Sequence, residues 1–121
     1  MNNHPPEVFK KFRDTGVEAI GISSITVSEL YYGAYKSSKI KQNIKRVEEF
    51  LYPFEILPYD ENASMEYGKI RSCLEKNGQI IGPLDMLIAA HAISRNLTVI
   101  TNNTKEFKRI KSLQVENWVN E

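Results

Sequence analysis

The stretch Gly82–Phe107, GPLDMLIAAHAISRNLTVITNNTKEF, leaves this chain few architectures to choose from. Gly82-Pro83 marks a helix start, because proline at the first helical position gives up no needed N–H. Asp85 falls in the first turn, where a negative charge meets the positive end of the helix dipole. Leu84, Leu87, Ile88, Ala89, Ala92 and Ile93 make the helix apolar almost all round, the pattern of a helix buried between layers. Arg95-Asn96 closes it. Leu97-Thr98-Val99-Ile100 then reads as a short strand of the fully buried type. It opens into the polar turn Thr101-Asn102-Asn103-Thr104, followed by Lys105-Glu106-Phe107. A carboxylate at a helix start and a polar cluster at a strand's C-terminal end are therefore one helix–strand unit apart. In open parallel α/β sheets, ligands sit outside the carboxyl ends of strands.

The rest of the chain repeats that alternation. Glu7–Arg13 has Val8, Phe9 and Phe12 at helical spacing, which predicts a short amphipathic helix with Gly16 as its stop. Ala19–Ser23 predicts a strand. Thr26-x-x-Glu29 has the form of a capping box and predicts a helix through Leu30, Tyr31, Tyr32 and Ala34, with Glu29 in its first turn. Lys39–Leu51 carries the stripe Ile40, Ile44, Val47 and Leu51, and Pro53 ends it. Phe54–Leu57 is a strand. Asp60 can cap a long helix from Glu61 to about Lys76, with Ala63, Tyr67, Ile70 and Leu74 inward and Asn77-Gly78 at its end. Leu113–Val115 is a last strand, closed by Trp118. Strands alternating with helices predict a parallel sheet covered by helices on both faces, in one domain spanning residues 1–121.

Bulk properties narrow the function little. A net charge of +1 gives no general case for nucleic acid, so any such case must be local. The 41% apolar content suits a globular core. The single cysteine, Cys73, permits no internal disulfide and fits a reducing, cytoplasmic setting. No run reaches membrane-spanning length, so no membrane partner is expected.

Chemistry concentrates in few residues. If the strands before Glu29 and after Asp85 point the same way, both carboxylates reach one edge of the sheet. Clustered carboxylates bind hard divalent cations such as Mg²⁺, and a cation there can activate water and stabilise charge on a phosphate. Asn102, Asn103 and Glu106 could add contacts. Acidic residues are favoured in helix first turns anyway, so Glu29 also reads as a capping residue and Asp85 as a dipole partner. His91 reads as a hydrogen-bonded core histidine, Cys73 as a packing residue and His4 as a surface residue. Tyr31, Tyr32 and Tyr35 suit a core or a dimer face, with base stacking as the alternative. Lys36, Lys39, Lys41, Lys45 and Arg46 form one basic run. Lys105, Lys108, Arg109 and Lys111 form a second, which flanks the Asn102-Asn103 turn and could position phosphates. Asp14-Thr15-Gly16 has the letters of an aspartic-protease loop, but it follows a charged segment and reads as a loop residue.

Three segments carry a resemblance: Ser23–Gly33 (SSITVSELYYG), Ile81–Ala92 (IGPLDMLIAAHA) and Val99–Phe107 (VITNNTKEF). In this order and spacing they resemble the PIN-domain ribonuclease toxins of the VapC type, from about Pro5 to Trp118. The resemblance implies a small endoribonuclease dependent on Mg²⁺ or Mn²⁺, usually a homodimer, held inactive by a VapB antitoxin. The subgroup it looks most like cuts the anticodon loop of initiator tRNA. By motif matching, Glu29 and Asp85 fall on acids of the family's metal site. Asn102, Asn103 and Glu106 fall on its last polar cluster. In this reading Glu29, Asp85, Asn103 and Glu106 are catalytic, Glu29 and Asp85 hold the metal, and Thr101, Asn102, Lys105, Lys108 and Arg109 meet the RNA.

The chain also departs from the pattern. The family opens with a buried central strand ending in Asp-Thr-Asn, which supplies the first metal-site aspartate in a sheet of order 3-2-1-4-5. Asn3-His4-Pro5-Pro6 matches the connector after that strand, so roughly a dozen residues have no counterpart. Met1 as a misplaced start would account for it. The expectation is a PIN-like α/β domain lacking its first, central strand, with ribonuclease activity impaired. The alternative is an inactive relative that only binds antitoxin or dimerises.

Overall fold

In the computed structural model, which describes residues 7–11 and 20–117, the first regular element is a strand, β1 (Val8–Lys11). The spacing of Val8, Phe9 and Phe12 predicts a helix here, and the structure overturns it. Val8 packs among residues of one core cluster and Phe9 is buried in another. Adjacent residues that reach opposite cores follow the two-residue period of a strand, not one face of a helix.

The other elements follow in order: β2 (Ile20–Ser23), α1 (Ser24–Lys36), α2 (Ile40–Leu51), β3 (Glu55–Leu57), α3 (Glu61–Lys76), α4 (Pro83–Ser94), β4 (Leu97–Ile100), α5 (Thr104–Phe107) and β5 (Gln114–Glu116). The strands form one sheet in the order β3-β2-β1-β4-β5. β2 pairs with β3, and β4 with β5, in parallel. β1 lies between the halves and runs antiparallel to both β2 and β4. The sheet is therefore mixed, and the central position expected to be vacant is filled.

Two physical reasons account for β1. Without it, the inner edges of β2 and β4 would bury unpaired N–H and C=O groups. β1 supplies the partners: Phe9 opposite Gly21 and Val99, and Val8 opposite Ile100. Its direction follows from spacing. Residues 12–19, eight in all, separate β1 from its neighbour β2. A parallel pair needs a crossover of about a dozen residues or more, whereas an antiparallel pair needs only a short link.

Most local signals behave as read. The Asp60 side chain accepts from the Ala63 N–H at 3.0 Å and caps α3. Gly78 takes a left-handed φ of 66° past the end of α3, and the Gln79 N–H donates to the Leu74 carbonyl at 2.9 Å, a glycine C-terminal motif. Asn96 turns the chain from α4 into β4 with φ 59°. The capping box at Thr26 is a correction. Ser23, directly after β2, is the N-cap of α1 and accepts from the Ile25 N–H. The helix thus starts three residues early, Thr26 is buried inside it, and Glu29 sits in the second turn rather than the first. Both lateral strand boundaries move by one residue: β3 starts at Glu55, and β5 begins at Gln114 while Leu113 joins the core.

Two cores hold the layers. Phe9, Ile70, Leu74, Met86, Ile88 and Val99 are among the residues joining the sheet to α3 and α4. Ile22, Ala34, Val47 and Leu51 join it to α1 and α2. α4 is buried almost all round, as its composition predicts. His91, on that helix, is fully buried. Its Nδ1 lies 2.7 Å from Ser23 Oγ, and the rings of Phe9 and Tyr59 meet it edge-on. It is the hydrogen-bonded core histidine expected. Cys73, expected to pack, is exposed instead. His4, Asp14, Gly16 and Trp118 lie outside the described residues.

Candidate active site

The sheet's directions decide which side chains can meet. β2 and β4 are both antiparallel to β1, so they are parallel to each other, and their C-terminal ends share one edge. α1 starts directly after β2 and so begins at that edge. α4 runs back into β4, so its first turn returns to the same edge. α1 and α4 pack against each other. Glu29 and Asp85 are thus delivered to one edge by separate helices, as the sequence requires for a shared site.

The close constellation, however, centres on Asp85 alone. Asp85 is half-buried in the first turn of α4. The Asn103 side-chain amide donates to Asp85 Oδ2 at 3.3 Å. The turn after β4 fixes that amide's backbone, because the Asn103 N–H donates to Thr101 Oγ1 at 3.0 Å. Glu106, on α5, hydrogen-bonds with the Asp85 carboxyl. Glu29 is exposed one turn further along α1 and does not belong to the set pressing on Asp85.

A residue that the sequence reading passed over completes the set. Glu7 immediately precedes β1, one position beyond the Val8–Ile100 pair, and so stands beside Thr101 at the C-terminal edge of β4. The Thr101 hydroxyl lies 3.5 Å from Glu7 Oε2, a long contact. Its charge reaches Asp85. No local signal marked Glu7. The signal available was non-local: two inner strand edges lacking a partner, and one short apolar pair, Val8-Phe9, free to supply it.

Electrostatics follow from this crowding. Burial, then the charges of Glu7 and Glu106, then the hydrogen bond with Glu106 push the Asp85 carboxyl from its ordinary 3.8 up to about 6. The weak Asn103 contact does not offset them. Burial likewise raises Glu7, against hydrogen bonds that favour its charged form. These carboxylates lie where no ordinary stabilising role would gather them, since like charges repel.

The remaining expected residues divide. Thr101 is buried and its hydroxyl is engaged by Asn103 and Glu7, so it organises the turn from inside. Asn102 is half-buried in that turn. Lys105 and Lys108 are exposed beside it. Arg109 is exposed, but one guanidinium nitrogen donates to the Ile80 carbonyl at 2.9 Å, so part of its charge already ties α5 to the chain before α4.

Among the described residues, no three His, Cys, Asp or Glu side chains stand close enough to form a ready cage for a metal ion. Mg²⁺ does not require one. It is commonly held by one or two carboxylates and keeps several waters. The donors at this edge are all oxygen, and their uncompensated negative charge is what a hard divalent cation relieves. The residues present fit such an ion in donor chemistry and in charge.

Comparison with known proteins agrees with this geometry. The PIN domain family profile matches residues 3–113. The chain is 44% identical over 119 residues to "Ribonuclease VapC2" of Rickettsia felis, covering 98% of this chain and 89% of that protein. It is 42% identical over 118 residues to the "tRNA(fMet)-specific endonuclease VapC" of Salmonella typhimurium, again covering 98% and 89%. Among solved structures, the DNA-bound VapBC of Salmonella typhimurium matches with a TM-score of 0.79 at 47% identity, covering 81% of this chain and 74% of that one. The VapBC2 of Rickettsia felis bound to a promoter DNA fragment matches with a TM-score of 0.79 at 48% identity, covering 82% and 74%.

Proposed function

This chain belongs to the PIN-domain family, among its VapC-type ribonucleases, and from that premise we propose that it is a metal-dependent endoribonuclease toxin that cleaves tRNA. The observation that carries the proposal is the meeting of Asp85, Glu106 and Asn103, from α4 and the turn after β4, at the C-terminal edge of the sheet. The relative named for tRNA(fMet) directs the substrate reading to initiator tRNA.

Asp85 and Glu29 would hold the divalent ion, Mg²⁺ with Mn²⁺ as its substitute. When bound, such an ion lowers the pKa of water and neutralises charge on the scissile phosphate. Asn103 orients the Asp85 carboxylate, and the Thr101 hydroxyl holds Asn103 in turn. Glu106, half-buried against Asp85, is placed to hold or pass a proton at the same edge. Lys105 and Lys108 supply exposed positive charge for the RNA backbone, a contact that positions without reading sequence. Arg109 contributes what its bond to Ile80 leaves free.

The solved relatives titled as VapBC complexes support a VapB-like antitoxin as the partner. Exposed Tyr32 and Tyr35 on α1, with Ile40 at the start of α2, offer apolar surface for antitoxin or for a second copy of the chain, and we read the protein as a homodimer. No described helix is long and apolar enough to cross a membrane, and the lone exposed cysteine suits a reducing, cytoplasmic setting. A purely binding role is not favoured, because it rested on a central strand position that is occupied.

The test uses purified protein and initiator tRNA transcript with Mg²⁺ or Mn²⁺. Cleavage within the anticodon loop, abolished by chelator and reduced at least about a hundredfold by Asp85→Ala, is the expected result. Absence of cleavage with either metal, or unchanged cleavage by Asp85→Ala, would overturn the proposal.

A further inference from the structure

We propose that Glu7 acts as a third carboxylate of the divalent-ion site, delivered by the antiparallel strand β1 in place of an aspartate at the end of a parallel first strand. The inference rests on the metal-site reading above and goes beyond it, because no motif assigns Glu7 a role.

Geometry carries the argument. A parallel strand brings its C-terminal residues to the edge where β2 and β4 end. An antiparallel strand in the same slot brings its N-terminal residues there. β1 is antiparallel to both neighbours, and its register sets Val8 opposite Ile100, the last residue of β4. Glu7 is therefore the residue that clears the sheet at this edge, beside Thr101 and within electrostatic reach of Asp85. β1 is locked there by Phe9, which is 1% exposed and packed edge-on against His91 at 5.4 Å. A slip of one residue would turn Phe9 to the other face and withdraw Glu7 from the edge.

A purely structural role explains Glu7 poorly. A glutamine would make the same contact with the Thr101 hydroxyl and would add no charge beside Asp85 and Glu106. A glutamate at this position is unfavourable for the metal-free fold and favourable once a cation joins the group. The extra methylene of glutamate over aspartate also suits a residue that must reach the cluster from a strand of opposite direction.

The experiment titrates Mn²⁺ alone into the full chain near neutral pH and follows the free ion by electron paramagnetic resonance. The natural chain is expected to bind and Asp85→Ala to lose binding. Glu7→Gln should weaken it at least about tenfold, the scale on which loss of even an outer-shell partner tells. Glu7→Gln binding within about twofold of the natural chain, while Asp85→Ala loses the ion, overturns the role of Glu7 and leaves the ribonuclease proposal standing. Unchanged binding by Asp85→Ala overturns the metal site itself. A second measurement needs no variant: Fe²⁺ with ascorbate and peroxide cuts backbone beside bound metal, and mass spectrometry locates the cuts. Cuts beside residue 7 as well as residue 85 support the assignment. Cuts confined to the neighbourhood of 85 and 106 overturn it.

Discussion

Replacing Asp85 by asparagine should make the metal-free protein more stable, and the size of the gain can be worked out. The Asp85 carboxyl is pushed from 3.8 to about 6, first by burial and then by Glu7 and Glu106. Two units correspond to about 3 kcal/mol of disfavour for the charged form, at 1.36 kcal/mol per unit. Asp85 is only half-buried, so solvent screening reduces this to about 1–1.5 kcal/mol. Asparagine forfeits the interaction of a first-turn charge with the helix dipole, about 0.3–1 kcal/mol. It can still accept the Asn103 amide. The net gain is about 0.5 kcal/mol, or about 2 °C in a chain of this size. The sign with pH follows from a raised acid. Below the unfolded value of 3.8 both states are protonated and Asp85 has no penalty. Between 3.8 and about 6 the unfolded state loses its proton first, so stability falls as pH rises; above about 6 the penalty is complete. Thermal melts of both proteins in chelator, from pH 4 to 8, should therefore diverge as pH rises and run parallel above about 6. Saturating Mg²⁺ should raise the melting temperature of the natural chain and leave Asp85→Asn almost unmoved. A variant less stable than the natural chain at pH 7.5, or a difference that does not change with pH, would refute the crowding argument.

Two further outcomes test the frame around the site. Phe9→Ala should lower stability by about 3–5 kcal/mol in urea titration, because Phe9 is 1% exposed and its loss opens a cavity between the sheet and α4; a loss below about 1 kcal/mol would mean that β1 is not seated in the core. Burial and then the nearby Arg95 charge lower the His91 pKa below its ordinary 6.5. The folded state keeps His91 neutral, so its contribution is fully present above 6.5 and is lost as pH falls below that value. Melting temperatures should drop on acidification below pH 6.5, and His91→Gln should flatten that part of the profile.

Which parts were legible follows from where their determinants lie. The α4–β4 unit, the Asp60 cap and the Asn77-Gly78 stop depend on a few adjacent residues, and these predicted the observed elements closely. The start of α1 was misplaced because Ser23 and Thr26 are both able to cap. The choice fell to Ser23, whose hydroxyl also meets His91, a contact 68 residues away in sequence that no local pattern contains. β1 was read as a helix for the same kind of reason. Four residues with Val8 and Phe9 adjacent are ambiguous by period, and the outcome was set by the unpaired edges of β2 and β4. Motif matching placed Asp85, Asn103 and Glu106 together, whereas Glu29 shares their edge without joining their close contacts.

The direction of β1 ties the fold to the site more tightly than any motif does. Eight residues between β1 and β2 are too few for a parallel crossover, so a strand entering the central slot from this side must run antiparallel. Once it does, the residue before its first pairing partner lies at the edge where β2 and β4 end. That residue is Glu7. In the family pattern the central strand closes the sheet and presents an acid; an antiparallel strand can do both, provided that the acid precedes the apolar pair instead of following it. Glu7-Val8-Phe9 has that order. The expectation of impaired activity rested on a missing acid. Its force therefore depends on whether Glu7 holds the ion, since backbone pairing in the central slot is already supplied by β1.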